Sequence, residues 1–143
     1  MTDDDKSLVA SLFAREVPEI DSGRVEIRSI ARKPGYRTKL ALYSSGVDPI
    51  AACLGVRNSR IKNICDALDG ERIELLRWAD SAEEMIANAL QPAILERIIL
   101  HPAQHRAVVF VRSSQLAIVL GPGGANLDLA SELAGWHIEI EEA

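Results

Sequence analysis

Two glycine-containing segments of four residues carry the groups best suited to bind an anion. They are Gly55-Val56-Arg57-Asn58 and Gly121-Pro122-Gly123-Gly124, and their first glycines lie 66 residues apart. Each segment follows one short apolar stretch and precedes another. Amide N–H groups at the start of a helix are unpaired donors with a partial positive charge, so a phosphate group can bind there. We call the segments hinge 1 and hinge 2.

The residues around each hinge predict two short helices. Before hinge 1, Asp48 is expected to cap a helix and Pro49 to occupy its first position. Apolar residues then recur at helical spacing on both sides of the hinge, at Ile50, Leu54, Ile61, Ile64, Cys65 and Leu68. Hinge 2 has the same setting within residues 115–133. A repeated unit of this kind is a property of the whole fold.

A G-x-x-G segment between two apolar helices is typical of KH domains, which clamp about four nucleotides. Alone, the motif is a weak signal and favours an ordinary helix–turn–helix corner over a KH domain. Its repetition with matching flanks favours the KH interpretation. In that interpretation glycine avoids a collision between Cβ and the nucleotide backbone, and the partly apolar flanks form a floor for bases.

Positive charge is concentrated in the first part of the chain. The net charge is −5, yet residues 1–80 hold 13 Lys/Arg against 13 Asp/Glu, whereas residues 81–143 hold 3 against 8. Basic residues surround hinge 1 (Arg57, Arg60, Lys62) and fill the preceding strand and turn (Arg32, Lys33, Arg37, Lys39). Such clustering is expected of phosphate binding. The alternative is a solvated strand face.

The hydrophobic pattern predicts an α+β fold with one element order used twice. Helix, strand, strand, helix, helix and strand follow one another in residues 1–80 and again in residues 81–143. The second copy begins at Ser81-Ala82-Glu83-Glu84, which has the spacing of a capping box. We therefore expect two domains, 1–80 with an N-terminal helix and 81–143. In the second, strands are predicted over 94–100, 107–111 and 136–140.

Several classes of protein do not match this sequence. No apolar run reaches the roughly 18 residues of a membrane span, and no secretory signal is recognisable, so we expect a cytoplasmic protein without membrane contact. Cys53 and Cys65 are expected to be buried thiols. His101 and His105 have no accompanying ligands. We predict no metal site, no cofactor and no enzymatic activity, since no nucleophile–base set or nucleotide-binding loop is evident.

Three long segments resemble the tandem KH region of the NusA family of bacterial transcription factors. They are IARKPGYRTKLAL (30–42), DPIAACLG (48–55) and GERIELLRWADSAEEMIANALQPA (70–93), and the ending LAGWHIEI (133–140) resembles the close of the second KH domain. The resemblance implies two type II KH domains, each a three-stranded sheet covered by helices. It also implies binding of single-stranded nascent or leader RNA together with RNA polymerase and other transcription factors. Full-length family members carry further domains ahead of the KH pair, so the chain is expected to be a fragment or a naturally short relative.

Both hinges depart from the family pattern. Hinge 1 ends in Asn58 where the motif has glycine, although asparagine tolerates left-handed backbone angles. Hinge 2 keeps its outer glycines but has no cation, and Pro122 lacks an N–H donor. Asp128, four residues beyond hinge 2, would repel phosphate. We therefore expect the first unit to supply most of the RNA affinity.

The leading hypothesis is a non-catalytic module that binds single-stranded RNA. Its predicted RNA-binding residues are Gly55, Val56, Arg57, Asn58, Arg60, Lys62, Arg32, Lys33, Arg37, Lys39, Gly121, Pro122, Gly123 and Gly124. The alternative is a protein-interaction scaffold that kept the KH fold and binds RNA weakly or not at all.

Overall fold

The computed structural model describes residues 3–143, which form two compact units divided between Trp78 and Ala79. Each unit is a three-stranded sheet with helices, as the α+β prediction requires. Unit 1 contains α1 (Asp3–Glu16), α2 (Pro18–Asp21), β1 (Glu26–Lys33), β2 (Arg37–Tyr43), α3 (Pro49–Leu54), α4 (Ser59–Ala67) and β3 (Arg72–Arg77). Unit 2 contains α5 (Ala82–Ala89), β4 (Arg97–His101), β5 (Arg106–Val111), α6 (Leu116–Leu120), α7 (Ala125–Ala134) and β6 (His137–Glu142).

The two sheets have the same topology. In unit 1, β1 pairs antiparallel with β2, and β2 pairs parallel with β3. In unit 2, β4, β5 and β6 repeat this arrangement. A parallel pair needs a crossover connection, and the helix–hinge–helix segment supplies it in both units. The hinge is therefore held between two helices whose outer ends are both tied to strands.

Helices cover one face of each sheet. In unit 1, Val9 and Phe13 of α1 are fully buried together with Leu40 of β2 and Ile64 of α4. Burial of each such side chain contributes roughly 1.5–3 kcal/mol. In unit 2, the corresponding buried residues are Ile86, Leu90, Val109, Val119, Leu129 and Leu133. The second helix of each pair is thus fixed by its apolar face.

The predicted helix caps are present. Asp48 Oδ1 accepts hydrogen bonds from the N–H groups of Ile50 and Ala51 at 3.0 and 3.3 Å. Ser81 Oγ accepts one from Glu84 N at 3.3 Å. The strand predicted to begin at residue 94 begins instead at Arg97, because Ile94 is 66% exposed and its N–H donates to the Gln115 side chain. The four-residue helix α2 has no counterpart in the predicted element order.

The cysteines are free thiols: Cys53 is buried and Cys65 half-buried. Burial and the nearby Glu19 carboxylate raise the pKa of Cys53 to about 12, although Arg60 partly opposes them. Residues 3–143 contain no group of three or more His, Cys, Asp or Glu side chains able to hold a metal ion. Among the helices of the same residues, none has the length and apolar character needed to cross a membrane.

Candidate nucleic-acid interface

The two hinges have the same backbone conformation. Their first residues, Gly55 and Gly121, have φ/ψ of 74°/178° and 71°/172°. The third residues, Arg57 and Gly123, are left-handed at 55°/34° and 61°/20°. The fourth positions are left-handed as well, at 59°/25° for Asn58 and 78°/12° for Gly124. Asn58 therefore reproduces the geometry of the glycine that it replaces.

The first glycine of each hinge is required by contacts within the protein. Positive φ with ψ near 180° is essentially restricted to glycine. In addition, a Cβ on Gly55 would lie 2.6 Å from Arg60 Cγ, and a Cβ on Gly121 would lie 2.8 Å from Asn126 Cβ. The atoms that a Cβ at either first glycine would meet thus belong to the second helix of the pair. By contrast, a Cβ added to Gly123 or Gly124 would point into open space, with no atom beyond the chain neighbours within 4 Å.

The helices that follow the hinges begin without a side-chain cap. Asp48 and Ser81 cap α3 and α5, but no side chain caps the first turn of α4 or α7. Within the hinge, the N–H of Asn58 donates to Gly55 O at 3.2 Å, and that of Gly124 donates to Gly121 O at 3.1 Å. No capping side chain among residues 3–143 therefore occupies the N–H groups in the first turns of α4 and α7. These donors, together with the partial positive charge of the helix dipole, attract anions.

Two cations at hinge 1 are available to a ligand. Arg57 lies within the hinge and Lys62 is the fourth residue of α4; both are exposed. Neither side chain forms a hydrogen bond or an ion pair within residues 3–143. Val56, between the glycine and Arg57, is 80% exposed. The first turn of α4 is thus flanked by two unpaired positive charges.

Partly buried apolar side chains adjoin hinge 1. Ile50 of α3 and Ile61 of α4 pack against the core of unit 1 and keep part of their surface exposed. Leu54, the last residue of α3, is also half-buried. The sequence predicted a floor for bases at these residues, and in the structure each of them keeps part of its apolar surface exposed.

Arg60 is placed differently from the prediction. Its Nη1 donates to the carbonyl oxygen of Ala52 at 2.7 Å and to Glu19 Oε1 at 3.0 Å, and its side chain is 31% exposed. Arg60 also lines a cavity of about 450 Å³ with residues of the α2 region, namely Pro18, Glu19, Ser22 and Arg24. Its guanidinium group is therefore engaged within unit 1 and does not extend from the hinge.

Glu19 is the acidic partner of Arg60. A hydrogen bond from the backbone at Glu19 itself lowers the pKa of its carboxyl group, and the charges of Arg60 and Arg24 act in the same direction against a partial burial effect. The carboxylate is consequently ionised at neutral pH. The positive charge of Arg60 is thus largely balanced by Glu19.

Three of the basic residues predicted to bind RNA from the strand and turn, Arg32, Arg37 and Lys39, form ion pairs within unit 1. Arg32 is buried in a bidentate ion pair with Glu71, with Nε and Nη2 each 3.0 Å from the carboxylate. Lys39 is fully buried and its Nζ lies 2.9 Å from Glu74 Oε2. Arg37 shares Glu74, with Nη1 3.2 Å from Oε1 and only 14% of its side chain exposed. Arg32 and Lys39 are therefore structural ion pairs without access to a ligand, and Lys33 lies half-buried at the end of β1.

Glu71 is held by three residues at once. Its carboxylate accepts from Arg32, from the N–H of Gly35 at 2.8 Å and from the hydroxyl of Thr38. Burial alone would raise the pKa of Glu71, but these hydrogen bonds outweigh burial and lower it. The pair of Arg32 and Glu71 fixes the end of the sheet where the β1–β2 turn lies.

Hinge 2 exposes backbone groups but contains no positively charged side chain. Pro122 and Gly123 are exposed and Gly124 is half-buried. Asp128 is exposed in the first turns of α7, where the sequence predicted repulsion of phosphate. The basic residues of unit 2 lie on its strands or at their ends, and two of them are paired: Arg106 with Glu139 at 2.8 Å and Arg112 with Glu96 at 2.5 Å.

The sequence analysis did not predict the contacts of Gly55 with Arg60 and of Gly121 with Asn126. Arg60 and Asn126 both follow the first glycine by five positions, and both carry a side-chain donor. This shared position is visible in the repeat. Glu19, the ion-pair partner of Arg60, lies in α2, a helix that the sequence analysis did not predict. No feature of the neighbouring sequence indicates this pairing.

Comparison with protein families gives two adjacent matches. A model of the "NusA-like first KH domain" matches residues 3–78, and a model of the "NusA-like second KH domain" matches residues 82–143. The solved crystal structure of APE1850 resembles the chain with a TM-score of 0.65 and 22% identity, over 89% of this chain and 96% of that one. At this identity the likeness concerns the fold.

Curated relatives cover nearly the whole chain. The transcription termination/antitermination protein NusA of Thermus thermophilus is 41% identical over 140 residues, or 96% of this chain. The protein of the same name from Halalkalibacterium halodurans is 38% identical over 136 residues, or 94% of this chain. The matched region is 36% of the length of each relative.

Proposed function

The chain belongs to the NusA-like family of tandem KH domains, and from that premise we propose that it binds single-stranded RNA. Hinge 1 and the first turn of α4 form the main contact with the RNA backbone. Arg57 and Lys62 add charge-assisted contacts to phosphates. Ile50, Leu54 and Ile61 support the bases beside them. The role is binding, without a chemical step.

One observation carries this proposal most directly. The first turn of α4 has no side-chain cap, and two exposed, unpaired cations flank it. Elsewhere in unit 1, α3 is capped by Asp48, whose carboxylate also pairs with Arg77 at 3.0 Å. Of the two helices joined by hinge 1, α3 and α4, only α4 therefore combines the absence of a side-chain cap with unpaired flanking cations. A phosphate group satisfies both the donors and the charges.

Unit 2 is assigned a weaker share of the binding. Hinge 2 has the same backbone angles, and the open space beside Gly123 and Gly124 permits close approach of a strand. It lacks a cation, and Pro122 offers no N–H. Asp128 opposes a phosphate on the adjacent turn. Contact there rests on backbone donors alone.

The biological setting follows from the relatives and is part of the proposal. Two relatives carry the name transcription termination/antitermination protein, and this chain corresponds to about a third of their length. We assign the chain a role on nascent or leader transcripts in the control of termination and antitermination. RNA polymerase and other transcription factors are its proposed protein partners. The scaffold alternative, with little or no RNA binding, gains no support from these relatives.

A titration of labelled, unstructured RNA tests the proposal. Arg57→Ala and Lys62→Ala should each weaken binding about fivefold, as expected for loss of a surface ion pair of about 1 kcal/mol. Each should also reduce the slope of log affinity against log salt by about 0.7. Arg72→Ala is the matched control, because Arg72 is exposed beyond the opposite end of α4.

Two outcomes would contradict the proposal. Wild-type protein that binds polymerase subunits in a pull-down but shows no RNA binding at near-physiological salt would establish the scaffold alternative. Equal effects of all three substitutions would show that the RNA contact is not centred on hinge 1.

A further inference from the structure

The side chain five positions after the first glycine of each hinge donates a hydrogen bond to the helix that precedes the hinge. In unit 1, Arg60 Nη1 donates to Ala52 O at 2.7 Å. In unit 2, Asn126 Nδ2 donates to Val119 O at 2.9 Å and to Ile118 O at 3.4 Å. Ala52 and Ile118 each lie eight residues before the donor. The same connection is therefore made twice by two different side chains.

The carbonyl groups that accept these bonds belong to very short helices. α3 has six residues and α6 has five, and the last four carbonyls of any helix lack a partner within it. The N–H of the first hinge glycine satisfies one of them, Ala51 O in α3 and Ala117 O in α6. Arg60 and Asn126 satisfy the next ones. A helix of five or six residues depends on such contacts, since it is too short to be stable by itself.

The same two side chains also determine how closely the helices approach. The Cα hydrogens of Gly55 and Gly121 face the base of Arg60 and of Asn126, with no room for a methyl group. Asn126 is 1% exposed, and Arg60 continues to Glu19 in α2. Each side chain thus joins the end of one helix to the start of the next across the hinge.

We propose that Arg60 and Asn126 are positioning residues that hold the hinges in the shape that binds RNA, and that Arg60 does not itself contact phosphate. This inference rests on the proposed function. It assigns the importance of Arg60 to its hydrogen bond with the Ala52 carbonyl, because the charge of Arg60 is balanced by Glu19. A residue without charge that restores the bond should therefore restore binding.

The two variants Arg60→Asn and Arg60→Met test this distinction, because they remove the same charge. Asparagine copies Asn126, and the matching hinge angles place its amide near the carbonyls of Ala52 and Cys53. Methionine keeps an aliphatic stem against Gly55 but has no donor. Arg60→Met should bind unstructured RNA about tenfold more weakly than Arg60→Asn, as loss of a hydrogen bond worth about 1.4 kcal/mol implies. Their salt slopes should be equal.

A second readout reports the hinge without RNA. In a Cys65→Ser background, Cys53 is the one remaining cysteine and lies next to Ala52 at the end of α3. Its labelling by a thiol reagent should be at least several-fold faster in Arg60→Met than in Arg60→Asn or wild type. Circular dichroism checks that all variants are folded.

The outcomes separate the two proposals. Equal RNA affinity and equal Cys53 labelling in Arg60→Asn and Arg60→Met would overturn the positioning role, whatever the wild type binds. A reduction of the salt slope in Arg60→Asn as large as that in Arg57→Ala would do so as well, since it would make Arg60 a phosphate contact. Absence of RNA binding by wild type would instead overturn the proposed function, and with it the RNA-related part of this inference.

Discussion

Arg57 and Gly123 occupy the third position of their hinges with nearly the same left-handed backbone, at 55°/34° and 61°/20°. Glycine adopts this conformation without strain, whereas a residue with Cβ incurs a cost of roughly 1–2 kcal/mol. Arg57 is nevertheless exposed and unpaired. The strain at Arg57 is therefore retained at a position where its charge faces solvent, which is expected of a residue that serves binding.

Two single substitutions, each introducing the residue found in the other hinge, separate the effect on stability from the effect on RNA binding. Arg57→Gly should leave the free energy of unfolding unchanged or raise it by up to about 1 kcal/mol, since relief of strain exceeds the added chain entropy. Its RNA affinity should fall about fivefold. Gly123→Arg should lower stability by about 1–2 kcal/mol and strengthen RNA binding. Urea unfolding and RNA titration measure both effects; a parallel change of stability and affinity in the two variants would refute the assignment.

The first glycines should tolerate no side chain. Gly55→Ala and Gly121→Ala force Cβ into a conformation that is almost restricted to glycine and against atoms of Arg60 or Asn126. We expect each to lower the free energy of unfolding of its unit by about 2 kcal/mol or more. Gly46→Ala is the control, because Gly46 has open space around it and no positive φ. Its effect should stay within about 0.5 kcal/mol, and an equal loss in all three variants would contradict the packing account.

The Arg32–Glu71 pair should make unit 1 sensitive to acid. The pKa of Glu71 is lowered in the folded state from its ordinary 4.5. Its contribution to stability is therefore complete above about pH 4.5 and is lost as the pH falls through the lowered value. Glu71→Gln should remove this part of the acid dependence and lower stability by about 3 kcal/mol at neutral pH, because Arg32 stays buried without a counter-charge.

Tryptophan fluorescence can follow this effect in unit 1 alone. Trp78 and Trp136 are the two tryptophans, one in each unit, so a Trp136→Phe background leaves only the reporter of unit 1. Glu26→Gln is the control, since Glu26 forms an exposed pair with Arg28 at 3.0 Å. If Glu71→Gln and wild type lose stability in parallel as the pH falls from about 5 to about 3, the assignment to Glu71 is wrong.

The repeat of the hinge made most of the fold predictable from the sequence. Helical spacing around Gly55 and Gly121, the capping residues Asp48 and Ser81, and the resemblance of long segments indicate the element order and the α+β class. The strand predicted over 94–100 begins too early because apolar residues such as Ile94 lie in an exposed loop. Local hydrophobicity does not show whether a residue takes part in the hydrogen-bonded pairing of strands in a sheet.

The site was harder to predict because ion pairs depend on distant residues. Arg32 and Lys39 belong to a basic cluster in the sequence, but their partners Glu71 and Glu74 lie on or beside β3. The parallel pairing of β2 with β3 brings them together. Arg60 is likewise paired with Glu19 across 41 positions. Arg57 and Lys62 are the cations that this folding leaves unpaired at hinge 1.

Amide chemical shifts during RNA titration test the central claim most directly. In the proposed complex, an RNA strand lies against hinge 1 and the first turn of α4. Unstructured RNA should shift the amide resonances of Val56 to Lys62 most strongly, with smaller changes at Gly123 to Asn126. Saturation with RNA that leaves the amides of residues 56–62 unchanged while others move would contradict the account.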